Sequence, residues 1–268
     1  MDRAARLREA LETRGLRWPA RLEWNEVLVS TNDVAKERAR SGEPEWTAVL
    51  ADRQTAGRGR EGRSWVSPRG GLYLSVLLRP RTDAIALLPL AAGVAVAEVA
   101  EEHGVRAELK WPNDALVRGR KLAGILAEAS SGSGGVEWVV VGIGINVTLD
   151  VAALGRPAAD VATSFHLETS APPALEEVAA GVLARLSVWY DALQSRPASV
   201  VEAWRARAVR WWGEPVQVKT AEEVFRGRLH DVDESGALIV DLEGGGFRRV
   251  LAGEVTRLRP LLPEPSGG

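Results

Sequence analysis

Cysteine is absent from the 268-residue sequence, which excludes thiol nucleophiles, disulfides and the usual zinc clusters as sources of chemistry. Histidine is scarce: His103, His166 and His230 are scattered without metal-ligand spacing and read as surface or turn residues. Net charge is nearly absent. Lys plus Arg at 34 against Asp plus Glu at 36 leaves −2, so nothing global favours nucleic acid as a partner. The start, MDRAARLREALE, is charged, which excludes a secretory signal there. The longest uncharged run, residues 84–97, is short for a bilayer and is interrupted by Pro89, so the expectation is a cytoplasmic protein with no membrane partner. No internal repeat is present, and too few residues precede Ser30 for a separate winged-helix DNA-binding domain.

What is present suits a globular chain, at 46% hydrophobic and 26% charged residues, with length for a full core and a second small domain. Its most unusual stretch is ADRQTAGRGREGRSW, residues 51–65, in which Arg58, Arg60 and Arg63 alternate with Gly57, Gly59 and Gly62. Permanent positive charge there sits on a backbone that resists helix and strand, so the segment is expected to be mobile until an anion arrives. Gly57-x-Gly59-x-x-Gly62 matches the dinucleotide-binding fingerprint, but a true fingerprint opens a helix, and the following VSPRGG cannot form one. A solvated hairpin tip is the bland alternative to anion binding. Trp65 is either core or a flat wall against a ring ligand.

Around this loop, residues 4–13 predict a short amphipathic helix with Leu7 and Leu11 one turn apart, and a strand follows over about 21–29. Ser30-Thr31-Asn32-Asp33 offers a helix cap for 33–40, with Asp33 closing a capping box, or else a helix start that presents hydroxyls and amides to a polar ligand. Strands at 46–52 and 72–78 hold the loop at both ends, and residues 83–102 predict a helix capped by Thr82 or Asp83. In AELKWPNDALV a strand ends at Lys110-Trp111, and Pro112 forces a turn that exposes Asn113 and Asp114. Lys121 then leads a strand over 122–128, SSGSGG is a hairpin-like connection, and 138–147 is a buried strand whose Gly142 and Gly144 allow close approach to its backbone. Asn146 either holds the next loop or meets an adenine edge. Residues 174–193 and 198–212 predict two helices, and from Gly213 short strands form a small all-β unit ending near Pro260. In that unit Arg226, Arg228, Arg248 and Arg249 are offset by Asp231, Asp233, Glu234 and Glu254.

Taken together, STN at 30–32, QTAGRGREGRSW at 54–65, KWPND at 110–114, KLAGIL at 121–126 and GIGINV at 142–147 resemble one family, the biotin protein ligases, in order and spacing. The resemblance implies an α+β fold. A mixed β-sheet with flanking helices, of the class II synthetase-like ligase kind, fills residues 1–212, followed by a small SH3-like β-barrel over 213–262 and a disordered tail at 263–268. It implies biotin contacts from Ser30, Thr31, Asn32, Gln54, Arg58, Gly59, Arg60 and Lys121. Arg58, Arg60, Arg63, Trp65, Lys110, Asn113, Lys121 and Asn146 fall to the ATP side, and Lys121, Arg58 and Asp114 to catalysis.

The activity so implied is ATP-dependent ligation: biotin is activated to biotinoyl-5′-AMP with release of pyrophosphate, then transferred to a lysine of a biotin carboxyl carrier protein domain of acetyl-CoA or a related carboxylase. ATP and biotin are the substrates, with Mg²⁺ held mainly by phosphates. Joining two anions requires cancelling their repulsion, which arginines and a fixed lysine do without supplying a nucleophile. A homodimer is compatible with the resemblance. Two other readings are a related ligase acting on lipoate or octanoate and a biotin-sensing transcriptional repressor.

Overall fold

In the computed structural model, which describes residues 2–16, 19–132 and 135–257, the chain divides into two units, Met1–Ala208 and Val209–Gly268. In chain order the first contains α1 (Arg3–Thr13), β1 (Arg21–Leu28), α2 (Thr31–Arg40), β2 (Thr47–Gln54), β3 (Gly71–Leu78), α3 (Leu88–Glu102), β4 (Glu108–Lys110), β5 (Asp114–Val117), β6 (Arg120–Gly132) and β7 (Gly135–Asn146). The short helices α4 (Ala158–Val161) and α5 (Phe165–Glu168) and the longer α6 (Leu175–Ser195) and α7 (Pro197–Arg207) complete it. Its seven strands run in the order β1-β2-β3-β7-β6-β5-β4. β1 and β2 are parallel and the other neighbours antiparallel, so the sheet is mixed and flanked by helices, as the resemblance implied.

The two-residue alternation of the central strands gives the sheet two different faces. Ser75 pairs across to Gly142, which pairs with Leu126, and Tyr73 pairs with Gly144, which pairs with Gly124. These positions share a face with Val140, which packs with Ala35, Ala39, Val49, Leu77 and Trp138 beneath α2. The intervening Val139, Val141, Ile143 and Ile145 turn to the opposite side, where α3 and α6 pack on β3, β6 and β7. That side is aliphatic, whereas the α2 side becomes polar and glycine-rich toward the ends of β6 and β7.

Several local expectations change. Pro89 does not interrupt its helix: a 3₁₀ turn, Ala84–Leu87, runs into α3 with Pro89 in the first turn, where a missing N–H costs nothing. The resulting stretch, Ala84–Glu102, is by length and composition apolar enough to cross a membrane, but it is mostly buried inside the unit. Thr82 Oγ1 caps it by accepting from Ala84 N at 3.1 Å. α7 begins at Pro197 and stops at Arg207, five residues early, because Ala208 turns extended and joins Leu109 in a parallel bridge. β6 and β7 are longer than expected. Ser133 and Gly134 of their connection lie outside the described residues, as do Pro260 and the tail at 263–268.

The second unit is a five-stranded antiparallel sheet. Its strands are β8 (Pro215–Lys219), β9 (Val224–Val232), β10 (Leu238–Leu242), β11 (Phe247–Val250) and β12 (Glu254–Arg257), in the order β11-β10-β9-β8-β12. Val216, Val218, Leu229, Leu238, Val240 and Val255 form its core. Among the described residues no ladder joins β11 to β12, so the expected barrel is an open sheet. Arg249 pairs with Asp233 at 2.5 Å and Arg248 with Glu223 at 2.7 Å.

Candidate active site

The polar end of the α2 face carries most of the residues singled out above. Thr31 and Asn32 open α2 and are buried, as is Ser30. Ser30 occupies the N-cap position but makes no side-chain cap, and Asp33 pairs with Lys36 at 2.9 Å instead of returning to the helix start, so the capping box is not formed. The side chains have tertiary partners. Gln54 Oε1 accepts from Thr31 N at 2.8 Å and Thr31 Oγ1 at 3.1 Å, and the fully buried Ser75 hydroxyl lies 2.6 Å from Asn32 Oδ1. Asn32 sits directly over Gly142, where a Cβ would overlap its Oδ1.

The glycine–arginine segment folds on itself. Trp65 N donates to Gly57 O at 2.9 Å and Gly59 N to Arg63 O at 2.7 Å, around a 3₁₀ turn at Arg60–Gly62 in which Glu61 takes φ 54°. Instead of a free tip, it is tied to the core by Arg58, which pairs with Glu128 and, at 3.2 Å, with Asp33. Glu128 also accepts from Asn32 Nδ2 at 2.8 Å and Lys36 Nζ at 3.1 Å. Burial alone would raise the Glu128 pKa, but the hydrogen bonds from Asn32, Arg58 and Lys36 outweigh it and hold the carboxyl below its ordinary value. At the loop's exit, Gln54 Nε2 donates to Ser67 Oγ and Ser67 Oγ to Trp65 O, each at 2.8 Å.

Trp65 lies against the glycines of β6 and β7. Its Nε1 is 2.6 Å from where a Cβ on Gly144 would stand, and its Cζ3 is 2.9 Å from the equivalent point on Gly124, so only glycine admits the indole here. The ring is therefore a wall of this face, with Lys121 Nζ 5.1 Å from its centroid. The Trp65 N–H is buried without an acceptor among the described residues. Lys121, near the head of β6, pairs with Asp114 at 2.6 Å. Asp114 itself pairs in register with Lys110 across β4 and β5. Asn113 turns inward: its Nδ2 donates to Ile125 O at 2.6 Å and its carbonyl accepts from Ile125 N. Asn146, 2% exposed, donates to Thr163 O at 2.9 Å and Lys121 O at 3.4 Å. It thus fixes the strand from which Lys121 projects, and its amide N–H groups are committed to backbone.

The result is a hydroxyl- and amide-lined floor, an aromatic wall and the Lys121 cation beside it, with Arg60 and Arg63 carried on the adjoining loop, where Arg63 lies 3.9 Å from Glu61. Such a set suits an anionic ligand with an uncharged polar body. The family model for biotin/lipoate A/B protein ligases matches residues 24–146, and that for the biotin protein ligase C-terminal domain matches 212–257. A biotin--[acetyl-CoA-carboxylase] ligase of Mycobacterium tuberculosis is 35% identical over 273 residues, covering 95% of this chain and 98% of the relative. The chain belongs to the biotin protein ligase family.

Among other relatives, the bifunctional ligase/repressor BirA of Bacillus subtilis is 34% identical over 83% of this chain and 70% of its own length. Among solved structures, the Aquifex aeolicus biotin protein ligase in complex with biotin and ATP is similar at a TM-score of 0.77 and 31% identity, covering 90% of this chain and all of that one. Read as a member of this family, the chain brings STN, the glycine–arginine loop, KWPND, KLAGIL and GIGINV onto one end of one sheet face. Three members of the cluster were not singled out in the sequence: Ser75, Lys36 and Glu128. Ser75 is the sole aliphatic hydroxyl within the apolar strand LYLSVLL, which is a signal; Glu128 had none, being one charged residue near a strand end.

Proposed function

We propose that this chain is an ATP-dependent biotin protein ligase. The carboxylate of biotin attacks the α-phosphorus of ATP, the bond to pyrophosphate breaks, and biotinoyl-5′-AMP forms. A lysine amine of a biotin carboxyl carrier domain then attacks the acyl carbon and AMP leaves. The observation that carries this is the Lys121–Asp114 pair at 2.6 Å beside Trp65, on the face where Ser30, Thr31, Asn32 and Gln54 form a polar floor. Lys121 offers positive charge where two anions meet and where charge grows on the α-phosphate, and Asp114 orients it. No nucleophile is required of the chain, which accords with a sequence free of cysteine.

In this reading Ser30, Thr31, Asn32, Gln54, Gly59 and Arg60 line the biotin side. Arg63, Trp65 and Lys110 face the nucleotide, while Asn113 acts by tying the KWPND turn to Ile125 and Asn146 by holding Lys121 in place. No three His, Asp or Glu side chains converge among the described residues, and Mg²⁺ carried mainly by substrate phosphates asks for no such cluster. Magnesium enters as part of the ATP substrate. The first unit is the catalytic domain, the second assists ATP or carrier binding, and the protein works in the cytoplasm. Pyrophosphate exchange into ATP with biotin or lipoate as the sole carboxylate tests the reading: exchange with biotin is expected, and exchange with lipoate alone would move the assignment to the lipoate branch of the same family.

A further inference from the structure

We infer that Glu128 is a positioning residue that anchors the glycine–arginine loop, with Arg58 as the tether it holds, so that Arg58 shapes the pocket through its backbone and is not a ligand for the substrate anions. This rests on the ligase reading above. Glu128 stands in β6, opposite Val140 of β7, on one of the most firmly paired parts of the sheet. Its carboxylate gathers three donors from three places: Asn32 at the start of α2, Lys36 one turn on, and Arg58 in the loop. Arg58 in turn lies between Glu128 and Asp33, two carboxylates for one guanidinium. Handing Arg58 to a substrate phosphate would leave the partly buried Glu128 without one of its two counter-ions, and breaking such a pair is costly.

Lys121 is placed differently, with a single carboxylate partner and an aromatic face. The contrast separates two cations that the sequence alone groups together: Lys121 is the one free to meet developing charge, and Arg58 is structural to the loop. Because Asn32 and Arg58 share Glu128, the polar floor and the loop above it are held by one carboxylate. Its removal loosens both at once while the sheet keeps its own hydrogen bonds.

Three variants test this. In Glu128→Gln, which keeps the side-chain volume, trypsin should cut at Arg58, Arg60 or Arg63 about tenfold faster than in the wild type at a temperature well below the unfolding transition of both proteins, because cleavage tracks local opening. An unchanged cleavage rate would overturn the anchor. Glu128→Ala and Arg58→Ala should each raise KM for biotin about ten- to a hundredfold, the range for a lost hydrogen bond to a charged group, with kcat of exchange held within about threefold. The double variant should be no worse than either single one. Fully multiplicative effects, or a loss confined to kcat, would show Arg58 acting on the reacting groups independently of Glu128. If the wild type shows no biotin-dependent exchange, the ligase reading fails, and the trypsin arm still decides the anchor.

Discussion

Replacing Gly144 by alanine drives a methyl group into the Trp65 indole. The new Cβ would lie 2.6 Å from Nε1, 2.7 Å from Cε2 and 3.0 Å from Cζ2. Non-bonded heavy atoms relax at about 3.5–4.0 Å, so either strand or ring must move by roughly 1 Å. β7 cannot yield readily, since Gly144 is paired on one side with Tyr73 and on the other with Gly124. Trp65, carried on a partly exposed loop, yields instead. Overpacking costs about 1–3 kcal/mol in a rigid core. Here the loop absorbs most of it, and each ~1 kcal/mol that remains lowers the unfolding temperature by only about 2–4 °C in a chain of this size. The site loses more. Lifting the ring weakens its contact with Lys121 and displaces the surface assigned to the nucleotide, where aromatic–base stacking is worth about 1–3 kcal/mol. Pyrophosphate exchange at varied ATP should show KM for ATP raised about tenfold or more. A variant with wild-type KM for ATP and wild-type stability would refute the placement of Trp65 against the nucleotide.

Other outcomes follow from the same geometry. Lys121→Ala should fold normally and lose biotin-dependent exchange by about two orders of magnitude or more, the scale of a removed electrostatic donor; near-normal exchange would remove Lys121 from the mechanism. Asp233→Ala should cost the second unit about 1–3 kcal/mol by denaturant unfolding, because the Asp233 carboxylate accepts from Ser235 N, Ser235 Oγ and Ala237 N and pairs with Arg249. Stability should also fall in acid. Glu23, Glu102 and Glu128 are each pushed up by burial but held below 4.5 by their cationic and hydrogen-bonding partners, so what they contribute is fully present above that value and lost as pH drops through their folded pKa. Asp233, brought down to about 2 by Arg249 and its turn hydrogen bonds, loses its contribution between 3.8 and about 2. Thermal melts from pH 7 to pH 2 check this, and flat stability across that range would contradict it.

How much of this was legible in the sequence depends on how far apart the interacting residues lie. The loop, the KWPND turn and the lysine at the head of β6 are each read within a dozen residues, because glycine, proline and charge in short patterns constrain the backbone locally. Most strands of both units followed from short apolar runs bounded by turn residues, whereas β5, the four residues directly after KWPN, was not read as one. Ser30 to Asp33 misled because a capping box is a local rule, and here the hydroxyl and amide groups are taken by tertiary partners: Gln54, Ser75 and Glu128. Glu128 itself was invisible for the same reason. It meets Asn32 across 96 positions and Arg58 across 70, and only the register of β6 against β7 brings them together. The two glycines of GIGIN were rightly read as points of close approach, but what approaches, Asn32 and Trp65, lies in other motifs. Residues 147–174, with no strong periodicity, supply Thr163 to hold Asn146, a contact that no local pattern announces.

The central claim is that this site adenylates a carboxylate. Its most direct test is a single-turnover reaction of the protein with ATP and biotin, quenched and resolved by mass spectrometry. The account predicts biotinoyl-5′-AMP and pyrophosphate in equal amounts, with neither formed when biotin is omitted. Release of ADP and phosphate, or nucleotide breakdown that does not depend on biotin, would contradict it.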